Sequence, residues 1–112
     1  MKRALFIGRW QPIHDGHRWL FNQKLEQDIP ILIAVRETDV DTSNPFTTEQ
    51  VIENLEKEYS EQVGNGTVKI ISIPDIESVN YGRGVGYQIN EFVPPGDISR
   101  ISATAIRKNL KN

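Results

Sequence analysis

The chain has no cysteine, one methionine and two histidines in 112 residues. Without cysteine there are no disulfides, no thiol nucleophile and no thiolate metal site. Positive charge is not in excess either. Thirteen Lys and Arg stand against fifteen Asp and Glu, a net charge of −2 with histidine neutral, which argues against nucleic acid as a partner. Long apolar runs are missing as well. The apolar stretch at residues 4–7 is broken by Gly8 and Arg9, too early for a signal-peptide core, and no stretch approaches a membrane span. These absences lead to the expectation of a cytoplasmic protein with no membrane partner. The length fits a single domain over residues 1–112, which buries roughly two-thirds of its unfolded surface. A core of that size leaves self-association as an expectation, a homo-oligomer that covers an exposed sheet edge or helix face.

What is present is ordered. Residues 3–8, "RALFIG", read as a buried strand ended by glycine, and residues 29–35, "IPILIAV", as a second, continuously apolar one. Between them Asp15 is the expected N-cap of a helix through residue 27, with Leu20, Phe21 and Leu25 on its apolar stripe. Thr47 and Gln50 form a capping box that opens a helix over residues 47–62. There Val51, Ile52, Leu55 and Tyr59 recur at helical spacing. "GNG" turns into a third strand over residues 67–73. Residues 76–97 are glycine-rich, with weak helical character over 87–92. A short strand at 97–101 and a helix capped by Ser102 are expected after that. Strand, helix, strand, helix, strand in this order gives an α/β fold: a compact, Rossmann-like three-layer domain with a small parallel sheet and right-handed crossovers. Ligands of such sheets bind beyond the carboxyl ends of the strands.

Both histidines lie at that end, in "GRWQPIHDGH". A helix N-terminus carries unpaired amides and the positive end of the dipole, so it favours an anion. Gly16 lets a phosphate come close, and His14 and His17 can donate ring N–H bonds to its oxygens. Arg9, with the amides of Arg9 and Trp10 after Gly8, adds donors. Two other readings stay open on this segment alone. A His pair three residues apart can bind a metal, though no third ligand is evident, and it can be an ordinary capped helix start. At the far end, "ISATAIRK" puts Ser102, Thr104 and Arg107 on the first turns of a helix, where hydroxyls and amides can meet one phosphate and the guanidinium another.

Taken together, "GRWQPIHDGH" and "ISATAIR" resemble the two signatures of the HxGH nucleotidylyltransferase superfamily, in the same order and at opposite ends of a small α/β domain. The Gly-Arg-aromatic-Gln-Pro start, "NPFT" at 44–47 and "IPDI" at 73–76 are most similar to the archaeal-type nicotinamide-mononucleotide adenylyltransferases. The length is nearer the compact glycerol-phosphate cytidylyltransferases. The resemblance implies transfer of a nucleotidyl group, AMP ahead of CMP, from a nucleoside triphosphate to a small phosphate-bearing acceptor, with pyrophosphate released. It also implies Mg²⁺ held mainly by the nucleotide phosphates, with no protein metal ligands. His14, His17 and Arg107 would be catalytic. Gly8, Arg9, Trp10, Gly16, Ser102 and Thr104 would join them in binding the nucleotide, and Arg36, Tyr81 and Arg83 would be candidates for the acceptor. The segment 76–100 is shorter than in the archaeal-type enzymes, and Gln50 stands where they carry arginine. Two alternatives therefore remain: a CTP-dependent cytidylyltransferase acting on a polyol phosphate or phosphonate, and a non-catalytic nucleotide-binding sensor.

Overall fold

The structure is a computed structural model that describes residues 1–84 and 86–95. Three strands, β1 (Ala4–Gly8), β2 (Ile31–Arg36) and β3 (Val68–Ile73), form a parallel sheet in the order β1-β2-β3. Helix α1 (Asp15–Leu25) connects the first pair. The second pair is connected by α2 (Thr48–Glu58) and the short α3 (Ser60–Gly64). Register is in step across the sheet: Phe6 faces Ile33, and Ile33 faces Ile70.

A sheet that advances in one direction through right-handed crossovers puts its helices on one face. The core has this form. Phe6, Ile31, Ile33, Val35 and Val68 share one side of the pleat and bury against Phe21 of α1 and Val51, Leu55 and Tyr59 of the α2 region. Phe21 is fully buried, edge-on to Phe6 at 5.3 Å and to Tyr59 at 5.9 Å between ring centroids. The α/β class and parallel sheet are as expected. The opposite pleat carries Leu5, Ile7, Leu32, Ile71 and Ile73, and Leu5 is 55% exposed. No helix covers that face among the described residues. The expected strand at 97–101 and final helix lie outside them.

At the amino ends of the strands, Arg3 ties the sheet together. Its guanidinium donates to the carbonyls of Ile31 and Thr67 at 3.2 and 3.3 Å and of Gly66 at 2.8 Å. The Thr47–Gln50 capping box is present as expected, with both reciprocal bonds formed. The helix it opens stops at Glu58 rather than running to 62. Tyr59 leaves helical geometry (φ −108°, ψ 28°) to lay its ring on Phe21, and α3 restarts the coil. Residues 87–92 are not helical. Gly84 and Gly86 hold positive φ before them, and Tyr87 and Ile89 are exposed, so no apolar face is buried to hold a helix.

Candidate functional site

The N-cap of α1 is His14, not Asp15. His14 is extended (φ −145°, ψ 180°), and its Nδ1 accepts the Gly16 amide at 3.0 Å. His17, at the third helical position, accepts the His14 amide on its own Nδ1 at 3.3 Å. This is a capping box in which two imidazoles stand where a hydroxyl and a carboxamide are usual. Asp15 is free to pair instead with Arg18 at 2.8 Å, and Arg18 reaches Glu58 of α2 at 2.7 Å.

The box fixes the tautomer of both rings. An accepting Nδ1 carries no proton, so in each neutral ring the proton sits on Nε2. Neither Nε2 has a partner among the described residues, and Thr38 Oγ1 is the sole buried side-chain polar atom there without one. Both Nε2–H groups are therefore left without a hydrogen-bond acceptor among the described residues, although His14 as a whole is buried. The rings stack at 3.8 Å between centroids, 20° from parallel. Burial drives the His17 pKa down to about 3, helped by His14 and Arg18. Burial, then Arg18, lowers that of His14, against the pull of Asp15. The pair is thus two neutral donors side by side. The amides of His14 and Gly16 are held inside the box rather than left unpaired at the helix start.

The preceding loop supports this turn. Trp10 is buried, its Nε1–H donates to the Ala34 carbonyl at 3.2 Å, and its ring stands edge-on to His17 at 4.9 Å and to Phe21 at 5.0 Å. A buried indole in these contacts is no platform for a base. Gly8 ends β1 directly under that ring: a Cβ there would lie 2.9 Å from two indole carbons. Arg9 donates to Asn44 Oδ1 at 3.3 Å.

Composition and spacing gave no hint of Gln11. It is 2% exposed and pairs with the Phe46 peptide in both directions: Nε2 donates to the carbonyl and Oε1 accepts from the amide, each at 2.9 Å. Buried Asn44 is held by Asp41, whose carboxylate also accepts from the Ser43 and Asn44 amides. Arg9 and Gln11 thus clasp the 44–46 turn against the histidine loop. A glutamine between tryptophan and proline, in a loop that must satisfy its own backbone, was the available signal.

Arg36 ends β2 on this same edge. It donates through Nε and Nη2 to Asp75 Oδ1, at 3.0 and 2.7 Å, and through Nη2 to the Ile76 carbonyl. That pairing holds the Asp75 carboxyl below the usual carboxylate range. Tyr81 and Arg83 line an open concavity of about 620 Å³ with Gly84, Tyr87, Gln88 and Ile89, and neither histidine is part of that lining. Ser102, Thr104 and Arg107 fall outside the described residues. Among those that are described, no group of three or more His, Cys, Asp or Glu is gathered to hold a metal ion, and no helix is long and apolar enough to cross a membrane.

Comparison with known proteins returns nicotinamide-nucleotide adenylyltransferases. The chain is 30% identical over 99 residues to that of Thermococcus sibiricus, covering 86% of this chain and 52% of the relative. It is 33% identical over 103 residues to that of Thermococcus kodakarensis, covering 88% and 52%. It is 34% identical over 110 residues to that of Methanococcus aeolicus, covering 96% and 60%. No family model matches. The chain spans about half the length of the first curated relatives it matches. These likenesses support a nucleotidyltransferase-family relationship.

Proposed function

We propose that this chain transfers a nucleotidyl group, AMP from ATP, to a small phosphate-bearing acceptor and releases pyrophosphate. The observation that carries the reading is the imidazole capping box, which leaves two proton-bearing Nε2 atoms without an acceptor among the described residues, side by side, at the carboxyl edge of a parallel sheet. The names of the relatives favour adenylyl over cytidylyl transfer, and make nicotinamide mononucleotide the first acceptor to test.

An ionised phosphate oxygen is already a nucleophile, so the protein has little proton transfer to perform. The acceptor oxygen forms a bond to the α-phosphorus in line with the α–β bridging oxygen. That P–O bond breaks and its electron pair leaves on pyrophosphate. Catalysis is then positioning and charge stabilisation. His14 and His17 donate Nε2–H bonds to oxygens that gain charge as the bridge breaks. They do so as neutral hydrogen-bond donors, without a change of charge. Ser102, Thr104 and Arg107 hold the β and γ oxygens. Arg9 and the loop after Gly8 border the triphosphate, and Arg36, Tyr81 and Arg83 are the candidates for the acceptor side. Mg²⁺, when bound, would be held mainly by the triphosphate rather than by these residues, and would offset its charge.

Pyrophosphate release from ATP and Mg²⁺, with and without nicotinamide mononucleotide, tests the reading. Release that depends on the acceptor, and falls by about 10²–10³ in His17→Ala, supports it. ATP binding without release under any acceptor points to the sensor alternative, and release from CTP alone to the cytidylyltransferase.

A further inference from the structure

We infer that Trp10 is a positioning residue for His17, a fixed aromatic wall that sets the ring's orientation and keeps it out of water, and that Gly8 is glycine so that this wall can be seated. The inference rests on the reading of His17 as a phosphate donor.

Three independent features converge on the indole. The first is its backbone. Trp10 sits at φ 53°, the left-handed region that a bulky residue rarely adopts. Such a conformation persists only where its surroundings over-determine it. The second is what holds it. The Nε1–H bond to the Ala34 carbonyl ties the indole to β2, and the ring edges on Phe21 tie it to the core of α1. The third is what it touches. His17 stands at 88° to the indole with centroids 4.9 Å apart, and its other side stacks on His14. His17 is therefore held between two rings, one anchored in the sheet and the other capping the helix.

Gly8 makes room for this arrangement. A methyl group at that position would meet Trp10 Cε2 and Cζ2 at 2.9 Å, closer than real Cβ contacts come. The nearest neighbour of Gly8's missing side chain is thus the tryptophan. Glycine at the end of β1 lets the indole lie flat beneath the loop, and through it sets the histidine.

Among the described residues, the charged groups that bear on His17 are few. His14 and Arg18 belong to α1 and its cap. Arg18 is neutralised in part by Asp15 and by Glu58 from α2. The loop and β1 contribute Trp10 and Gly8, and the core side contributes Phe21; none of these is charged. With no carboxylate against the ring among the described residues, its exclusion from water is the main cause of its low pKa, and Trp10 is the aromatic that stands over it from the loop.

With two histidines in the chain, a proton NMR titration of the imidazole Cε1–H signals reads each ring, assigned by its loss in His14→Asn or His17→Asn. In the ligand-free parent, His17 should hold its neutral shift across the range where an ordinary imidazole titrates. Trp10→Ala should let it titrate toward the ordinary range near 6.5, and should lower kcat for pyrophosphate release about 100-fold with a smaller change in the KM for ATP. Trp10→Phe keeps an aromatic wall and should restore the low titration. If Trp10→Ala does not fold, Gly8→Ala, which displaces the ring without emptying the core, should move His17 in the same direction. A folded Trp10→Ala or Gly8→Ala in which His17 still refuses a proton overturns the inference, as does one in which His17 titrates freely while kcat stays within a few-fold. A parent that releases no pyrophosphate overturns the functional reading instead, and the titration of the ligand-free protein still decides whether Trp10 sets His17.

Discussion

The two ends of the same small sheet both carry arginine, yet they hold it in different ways. At the amino end, among the described residues, Arg3 meets only backbone carbonyls, those of Ile31, Gly66 and Thr67. These carbonyls cannot leave without unpicking the sheet. At the carboxyl end, Arg9 meets the side-chain amide of Asn44 and Arg36 the carboxylate of Asp75. Apart from the Ile76 carbonyl, which Arg36 meets beyond the end of β3, these partners are side chains, and an incoming phosphate can replace them at no cost to the strands. The histidines follow the same division: they lie at the carboxyl end, their Nδ1 atoms committed to the backbone and their Nε2–H groups uncommitted. One end is closed by groups the fold needs, and the other is lined by groups a ligand can take over.

The largest expected effect separates the ends by substitution. His17→Ala should remove about 10²–10³ of turnover while the protein still unfolds cooperatively in urea. Arg3→Met should do the reverse. It removes a charged donor from three part-buried carbonyls, so a stability loss of about 1–3 kcal/mol is expected, with turnover per folded molecule unchanged. Urea unfolding monitored by tryptophan emission, alongside pyrophosphate release, reads both. If Arg3→Met lowers kcat as strongly as His17→Ala, the division between the ends is wrong.

A smaller effect comes from pH. His17 is neutral in the folded protein down to about 3, whereas in the unfolded chain it takes a proton near 6.5. Below that value the unfolded state binds the extra proton, so stability rises with pH through this window and falls as pH drops from 6.5 toward 3. The contribution is present in full above 6.5. Discounted for the solvent that reaches the ring, the loss is on the order of 1–2 kcal/mol across the window. His17→Asn should flatten that part of the profile, because Asn does not titrate. Arg3→Met should leave its shape alone, shifting the whole curve down. A profile equally steep in His17→Asn would mean that the buried imidazole is not what acid attacks.

Much of this division was legible in the sequence, because periodicity and capping chemistry are local. Three apolar runs of strand length with two helical segments between them fix a parallel sheet, and Thr47 with Gln50 fixes the start of α2. That same locality placed both histidines at the carboxyl end. What could not be read was which groups would be used up. Asp15 is the better N-cap by propensity, but the imidazoles took the cap because His17, three residues after His14, could return the bond. Trp10 lies in the motif loop as a nucleotide-binding candidate, yet the core needed its ring beside Phe21 and the sheet its indole N–H. Gln11 and Asp75 act across 35 and 39 residues of separation, a distance over which single-sequence pattern carries no information.

Asp75 offers the finest test of the contrast. Its carboxylate is exposed and held to Arg36 by two bonds to one oxygen, so it occupies the guanidinium much as a phosphate oxygen would. Exposed pairs of this kind exchange easily and contribute little to stability. Asp75→Asn keeps the shape and one acceptor oxygen but removes the charge that competes with an anionic acceptor. Its unfolding midpoint should stay close to that of the parent, while the KM for the phosphorylated acceptor falls several-fold at low salt and the gain shrinks as ionic strength rises. Arg36→Gln should raise the same KM and abolish the response to the Asp75 change. Because the two residues are in contact, a double-mutant cycle isolates their coupling. If Asp75→Asn instead lowers stability and leaves the KM alone, the pair is a structural tie like Arg3, and the carboxyl end is closed at that corner too.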